Sequence, residues 1–324
     1  MGKIKNEEYA KINGIDQYFL HYPSPQREDT PVVIFLHGGP GSSMACLSYV
    51  LRPHWDFCPV VYYDQRGASR TQKKNKSEKE DLTVENLIAD LRQTIRYVKE
   101  KYQTDRVILL GQSWGTVLGT LYIQQYPEDV IAYIGTGQCV DTRRDMQVRY
   151  DKLKEVIERK GNKKDLRKVI EMETLPHMKI DDKKYVSMEI RFFLLSTKYG
   201  LTLKSGKLLK LMFKSPFFKF SDLYMMIKGP KANLHLSKWM TDGYSVWNTP
   251  DYSVPVFYIL GRDDWQTSAT LATEYFEKIN APQKGLYWIE NAGHATDIDN
   301  PVDFCEAVKD IVMRLAPTEI EGNQ

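Results

Sequence analysis

Five residues constrain this chain more than any others: Gly111-Gln112-Ser113-Trp114-Gly115. They follow the apolar run Val107-Ile108-Leu109-Leu110 and open a helical pattern. A serine exposed on so tight a strand-to-helix turn needs almost no side chain two residues away on either side. Glycine at 111 and 115 meets that need. The helix that starts there aims its N-terminal N–H groups and its dipole at developing negative charge. Ser113 is the expected nucleophile; the bland alternative is a tight turn with an idle serine.

A serine hydroxyl is a poor nucleophile without a base, and the base needs an acid to orient it. In a strand–elbow–helix frame the chain order is serine, acid, histidine. Of the six histidines, His294 lies beyond the late apolar run Val254–Gly261, in Asn291-Ala292-Gly293-His294 just after a run at Gly285–Glu290. A loop of small residues at a strand end can present an imidazole, so His294 is the expected base. The run ending in Gly261-Arg262-Asp263-Asp264 offers two carboxylates; Asp264 is the expected acid and Asp263 the fallback. An oxyanion needs backbone N–H donors. Trp114, next after the serine, supplies one. The loop His37-Gly38-Gly39-Pro40-Gly41 supplies the other from Gly39, with His37 holding the loop by a hydrogen bond.

Short apolar runs alternate with helical patterns, which predicts an α/β fold: a mostly parallel sheet with helices on both faces. The expected strands are Gln17–Tyr22, Val32–His37, Val60–Asp64, Val107–Gly111, Ile131–Thr136, Val254–Gly261 and Gly285–Glu290. The expected helices are Val84–Tyr102, Trp114–Tyr126, Thr267–Ile279 and Pro301–Leu315. The alternation breaks between about 140 and 244, where lysine-rich helical patterns appear at Asp151–Arg159, Lys164–Glu173, Lys183–Leu195 and Lys204–Lys214. An insertion into one sheet explains this: residues 1–140 and 245–324 form the catalytic domain, and 141–244 a helical cap.

The whole chain of 324 residues carries +3. That is too balanced to indicate nucleic acid as a partner. Residues 141–240 hold 24 basic and 12 acidic residues, or +12; the rest hold 21 and 30, or −9. Residues 190–221 have no acid at all, yet are rich in Phe and Leu. Such a stretch reads as a solvated helical surface, as the lining of an apolar cavity, or as a basic face for lipid contact. No apolar run approaches the roughly 20 residues needed to span a bilayer. The charged start MGKIKNEEYA lacks an apolar core, and Cys46, Cys58, Cys139 and Cys305 are scattered without a CxxC pair. Free thiols and a cytoplasmic location are therefore expected. Neither H-E-x-x-H nor a zinc-spaced Cys/His cluster occurs, so no metal or cofactor is expected.

Taken in order, HGGPG at 37–41, Asp64-Gln65-Arg66-Gly67-Ala68-Ser69, GQSWG at 111–115, GRDD at 261–264 and Gly293-His294 resemble the alpha/beta-hydrolase fold. Within it they resemble the prolyl aminopeptidase (proline iminopeptidase) family. The resemblance covers residues 1–140 and 245–324. It implies release of an N-terminal residue, often proline, from small peptides by a Ser113–Asp264–His294 triad, with a helical cap over the site and no metal. Family members recognise the substrate's amine with cap carboxylates. Here residues 190–221 and 223–241 hold none, which leaves Glu189, Asp222, Glu171 or Glu173. Glu189, on one predicted helix with Phe192 and Phe193, is the first choice, and those three are the expected substrate contacts. A positive, aromatic cap is a poor place for an ammonium group and would better suit an apolar or an anionic acyl group. An ester or amide hydrolase with an apolar acyl pocket is therefore the alternative reading. A non-catalytic interaction protein on the same scaffold is the third reading, disfavoured because all three triad positions are filled. The oligomeric state is not legible.

Overall fold

The computed structural model describes residues 6–23, 30–43, 45–75, 81–179, 183–202 and 205–315. Its eight strands are β1 Glu7–Ile12, β2 Ile15–Tyr22, β3 Val33–Leu36, β4 Val60–Tyr63, β5 Val107–Gln112, β6 Val130–Thr136, β7 Val256–Gly261 and β8 Lys284–Ile289. They form one sheet in the order β1-β2-β4-β3-β5-β6-β7-β8. β1 and β2 are antiparallel to their neighbours, and the remaining six strands are parallel. The seven expected strands are all present. β1 went unread because EEYAKI puts charges on its outer face, and its burial alternates instead of being continuous.

Side chains along each central strand serve two cores in turn, because a strand's side-chain period is two. Ile34 and Leu36 face the side packed by α2 (Val84–Tyr102), α3 (Trp114–Gln125) and α10 (Ala269–Lys278). Val33 and Phe35 face α12 (Pro301–Leu315), which follows the short α11 (Thr296–Asp299), on the other side. α2 starts where Thr83 accepts a hydrogen bond from Asn86 N, and stops where Gln103 turns left-handed. A short helix, α1 (Ser69–Asn75), follows β4; Asp64 Oδ2 accepts from Arg70 N at 2.8 Å at its start.

Between β6 and β7 the described residues form six α-helices: α4 Thr142–Arg159, α5 Lys163–Ile170, α6 Lys183–Lys198, α7 Ser205–Lys214, α8 Phe220–Ala232 and α9 Leu234–Gly243. The chain leaves and re-enters the sheet region at one neck, an antiparallel bridge between Asp141 and Ser245. α4, α5 and α6 share a small core of their own around Tyr150, Leu153, Met188 and Phe192. Two of the six helices, α8 and α9, were not legible. α8 contains Gly229 and Pro230, which argue against a helix on propensity alone. The structure keeps Gly229 because its backbone lies against that of Gly41: a Cβ at 229 would stand 2.0 Å from the Gly41 oxygen. Asn233, after α8, donates to Gly67 O at 2.9 Å. α8 is thus seated on the HGGPG and DQRG loops. None of the described helices is long and apolar enough to cross a membrane.

Candidate active site

β3 and β5 are neighbours whose connections run to opposite sides of the sheet, so a crevice opens between their C-terminal ends. The loops after β3 and β5 flank that crevice, and those after β7 and β8 reach it from the same edge. At the end of β5, Ser113 has φ 53° and ψ −119°, left-handed backbone that costs a non-glycine residue strain. The surrounding packing holds it there. A Cβ at Gly115 would stand 1.9 Å from the Leu36 oxygen, and one at Gly111 2.7 Å from the Gly115 oxygen. Glycine at both positions is what lets the turn close this tightly.

Gln65 ties the loops together. Its N–H donates to His37 Nε2 at 3.0 Å, its side-chain nitrogen to His37 O at 2.9 Å, and its side-chain oxygen accepts from Trp114 Nε1 at 3.0 Å. Because Nε2 of His37 accepts, Nδ1 carries the proton and donates to Gly38 O at 2.7 Å. Burial lowers the His37 pKa to about 4, so the ring stays neutral and acts as a clamp on its loop. Arg66 of the same motif is held bidentate by Asp90 on α2, at 2.7 and 2.9 Å.

His294 donates from Nδ1 to Asp264 Oδ2 at 3.0 Å, and both residues are buried. Asp264 is fixed in turn. Its Oδ1 accepts from the backbone N–H groups of Gln266 (2.9 Å) and Thr267 (3.0 Å), and Oδ2 from Thr267 Oγ1 at 3.0 Å. Thr267 Oγ1 also lies 3.1 Å from His294 Nδ1. Burial works against charging His294, but the Asp264 carboxylate and its hydrogen bond outweigh it and raise the pKa above the ordinary value. The imidazole bonds Asp264 and not Asp263, which lines a neighbouring cavity with Trp265, Asn291 and His294.

Ser113 and His294 lie on the wall of one cavity of about 280 Å³, together with Gly39, Cys46, Leu208 and Met212. Among the described residues the two side chains share this wall without a hydrogen bond between them; such bonds often form only once substrate is bound. Leu208 and Met212 come from α7, so the insertion contributes directly to the cavity. Glu189, Phe192 and Phe193 do not line it. Phe192 is in the core of α4–α6, while Glu189 and Phe193 are exposed on α6. Glu171 is exposed and paired with Arg191, and Asp222 is buried against Arg70. No three His, Cys, Asp or Glu among the described residues are placed to hold a metal.

Three residues at the site escaped sequence reasoning. Thr267 had a signal, since Asp-x-x-Thr at the end of a strand is a side-chain-capped turn. Gly137, at the end of β6, has φ 54° and packs on His294; a glycine directly after a strand was its only mark. Asp145, in the first turn of α4, had none. It is half-buried and accepts from Ser268 N at 2.5 Å. Burial raises its pKa to about 6 against the pull of Arg149, and the charges of Asp264 and His294 act on it.

Sheet order, elbow and loops define the class: the chain has the alpha/beta-hydrolase fold. Residues 31–157 match the family described as alpha/beta hydrolase fold. The chain is 24% identical over 307 residues to the probable aminopeptidase YbaC of Bacillus subtilis (strain 168), covering 93% of this chain and 92% of that one. It is 26% identical over 289 residues to a proline iminopeptidase of Heyndrickxia coagulans, covering 87% and 90%. Among solved structures, a proline iminopeptidase of Mycobacterium smegmatis aligns with a TM-score of 0.66 at 15% identity, covering 96% of this chain and 98% of that one. These comparisons bear out the resemblance read from the motifs. The chain has the alpha/beta-hydrolase fold and is similar to the prolyl aminopeptidases.

Proposed function

We propose that this chain is a serine aminopeptidase that releases an N-terminal residue from small peptides, with Ser113 as nucleophile, His294 as base and Asp264 as the acid that orients it. The observation that carries this reading is the Asp264–His294 pair, locked by Thr267, with the His294 ring on the same cavity wall as Ser113. His294 takes the Ser113 proton as the hydroxyl attacks the substrate carbonyl, and Asp264 stabilises the imidazolium that results. The oxyanion is received by the N–H groups of Trp114 and Gly39. In a trans peptide the C=O and N–H point opposite ways, so the grip of His37 on Gly38 O turns the Gly39 N–H away from His37. The imidazolium then gives that proton to the leaving amine as the C–N bond breaks. Water attacks the resulting acyl-enzyme with His294 again as base, which frees the N-terminal residue and restores Ser113. Residues 141–244 act as the cap.

Full-length similarity to a probable aminopeptidase supports the peptide substrate. The substrate's ammonium needs a carboxylate, because an unpaired buried charge costs several kcal/mol. Asp145 suits this better than Glu189: the charges of Asp264 and His294 act on Asp145, whereas Glu189 is exposed on α6; Arg149 lies near both, and neither lines the cavity wall. A second reading, an ester or amide hydrolase, is favoured by the apolar wall formed by Leu208, Met212, Cys46 and Ala295.

The test compares a prolyl arylamide with a short-chain aryl ester on wild type, Ser113→Ala and Asp145→Asn. The aminopeptidase reading expects both activities to vanish in Ser113→Ala. It expects Asp145→Asn to raise KM for the arylamide roughly tenfold or more, the scale of one lost ion pair, and to spare the ester. Ester turnover without arylamide turnover in wild type selects the second reading.

A further inference from the structure

Helix α7 has two faces with different surroundings. Leu208 and Met212 face the Ser113 cavity. Leu209 and Phe213, four residues apart, are exposed, and so are Lys210 and Lys214, also four apart. Pairs at that spacing lie side by side on one helix surface. The apolar surface continues beyond the helix. The Phe213 ring meets Phe218 at 5.1 Å, and Phe218 meets Phe220 at 5.6 Å. One turn into α8 comes Tyr224. Phe213 is 54% exposed, Phe220 82% and Tyr224 59%. Apolar side chains exposed singly are ordinary, whereas a contiguous aromatic patch marks a surface that meets something.

The charge around the patch says what it meets. Residues 190–221 hold seven Lys and Arg and no acid; of the seven, Arg191, Lys198 and Lys219 pair with Glu171, Asp165 and Glu7. Lys210, Lys214 and Lys228 have no ion pair among the described residues; Lys228 sits over the Tyr224 ring at 5.6 Å. The nearest acid in sequence, Asp222, is buried and engaged by Arg70. Exposed aromatic rings flanked by unpaired lysines are what an interfacial segment presents to acidic headgroups. A second copy of this chain fits less well, since a two-fold contact through this face would set lysines against lysines.

We propose that the outer face of α7 and the start of α8 dock on the surface of an anionic lipid bilayer, with the rings in the headgroup boundary and the lysines against lipid phosphates. This stands whichever reaction Ser113 performs. It also places the helix that walls the catalytic cavity directly beneath the bilayer surface.

The experiment is sedimentation of the full chain with vesicles of neutral phosphatidylcholine, and with phosphatidylcholine mixed with anionic phosphatidylglycerol. Binding is expected only to the anionic vesicles and should fall as salt rises. The pair Lys210→Glu and Lys214→Glu should weaken it roughly tenfold or more, since each lysine near such a surface contributes about fivefold. The pair Phe213→Ser and Phe220→Ser should abolish it, with the far-ultraviolet circular dichroism of both variants unchanged. Any one of three results overturns the proposal: no binding to anionic vesicles, equal binding to neutral ones, or wild-type binding by the lysine variant. So does a dimer in solution that the Phe213→Ser and Phe220→Ser pair dissociates, because the patch would then be a self-interface.

Discussion

The ring of His294 lies against the bare α-carbon of Gly137, at the end of β6. A Cβ at 137 would stand 2.9 Å from Cε1 and 3.0 Å from Nδ1 of the imidazole. Carbon atoms essentially never approach so closely, so the ring or the strand end must move if residue 137 gains a side chain. The strand next to β5 thereby sets the position of a group carried on the loop after β8. Gly137→Ala should lower kcat roughly 100-fold, the scale of a displacement of about 1 Å at a catalytic group, while circular dichroism remains native. Unchanged kcat would show that the imidazole position is not critical.

Ser113, His294 and Asp264 should behave as one unit. Ser113→Ala and His294→Ala are each expected to cut kcat by about four orders of magnitude or more, and the double variant to be little worse than either. Additive losses would contradict the assignment. Asp264→Asn should be severe and Asp263→Asn mild, because of the two carboxylates it is Asp264 that bonds the imidazole.

The acid limb of kcat/KM should report His294. A base must be neutral to accept a proton, and the Asp264 interaction raises this pKa above 6.5 despite burial. Activity is therefore expected to rise with pH through a midpoint above 6.5. In Asp264→Asn the raising cause is removed and burial remains, so residual activity should show its midpoint at lower pH. A midpoint that does not move would detach the limb from this pair.

A cationic substrate should show a second pH effect. The Asp145 carboxyl, raised to about 6 chiefly by burial, loses its charge as pH falls through that value. KM for a prolyl arylamide should then climb below pH about 6, while KM for an uncharged ester stays flat. Parallel curves for the two substrates would exclude Asp145 from amine recognition.

The Arg66–Asp90 pair should matter for stability more than for chemistry. Both side chains are nearly inaccessible, and two charge-assisted hydrogen bonds hold the loop after β4 to α2. Removing one partner leaves an uncompensated buried charge, which costs about 3–5 kcal/mol. Asp90→Ala should lower the urea midpoint accordingly. An unaltered midpoint would mean that water reaches Arg66.

The sequence alone determined the frame of this protein. Six of the eight strands are continuous or near-continuous buried runs, legible because a strand covered on both faces has no polar side to hide it. The elbow was legible because only glycine at 111 and 115 permits that turn. His294 and Asp264 followed from chain order, since each stands at the end of a readable strand. Tertiary structure decided what depends on packing between distant segments. Helix membership and charge pointed to Glu189, yet α6 leaves it exposed and outside the cavity, while Asp145, at the start of the insertion, bonds Ser268 N close to Asp264. α8 is helical against its own glycine and proline because Gly229 must lie on Gly41. Gly137 reads as an ordinary strand-end glycine until His294, 157 residues later, is laid against it. Local sequence carries local preference and periodicity; which residues meet across the crevice is set by closure of the whole sheet and its insertion.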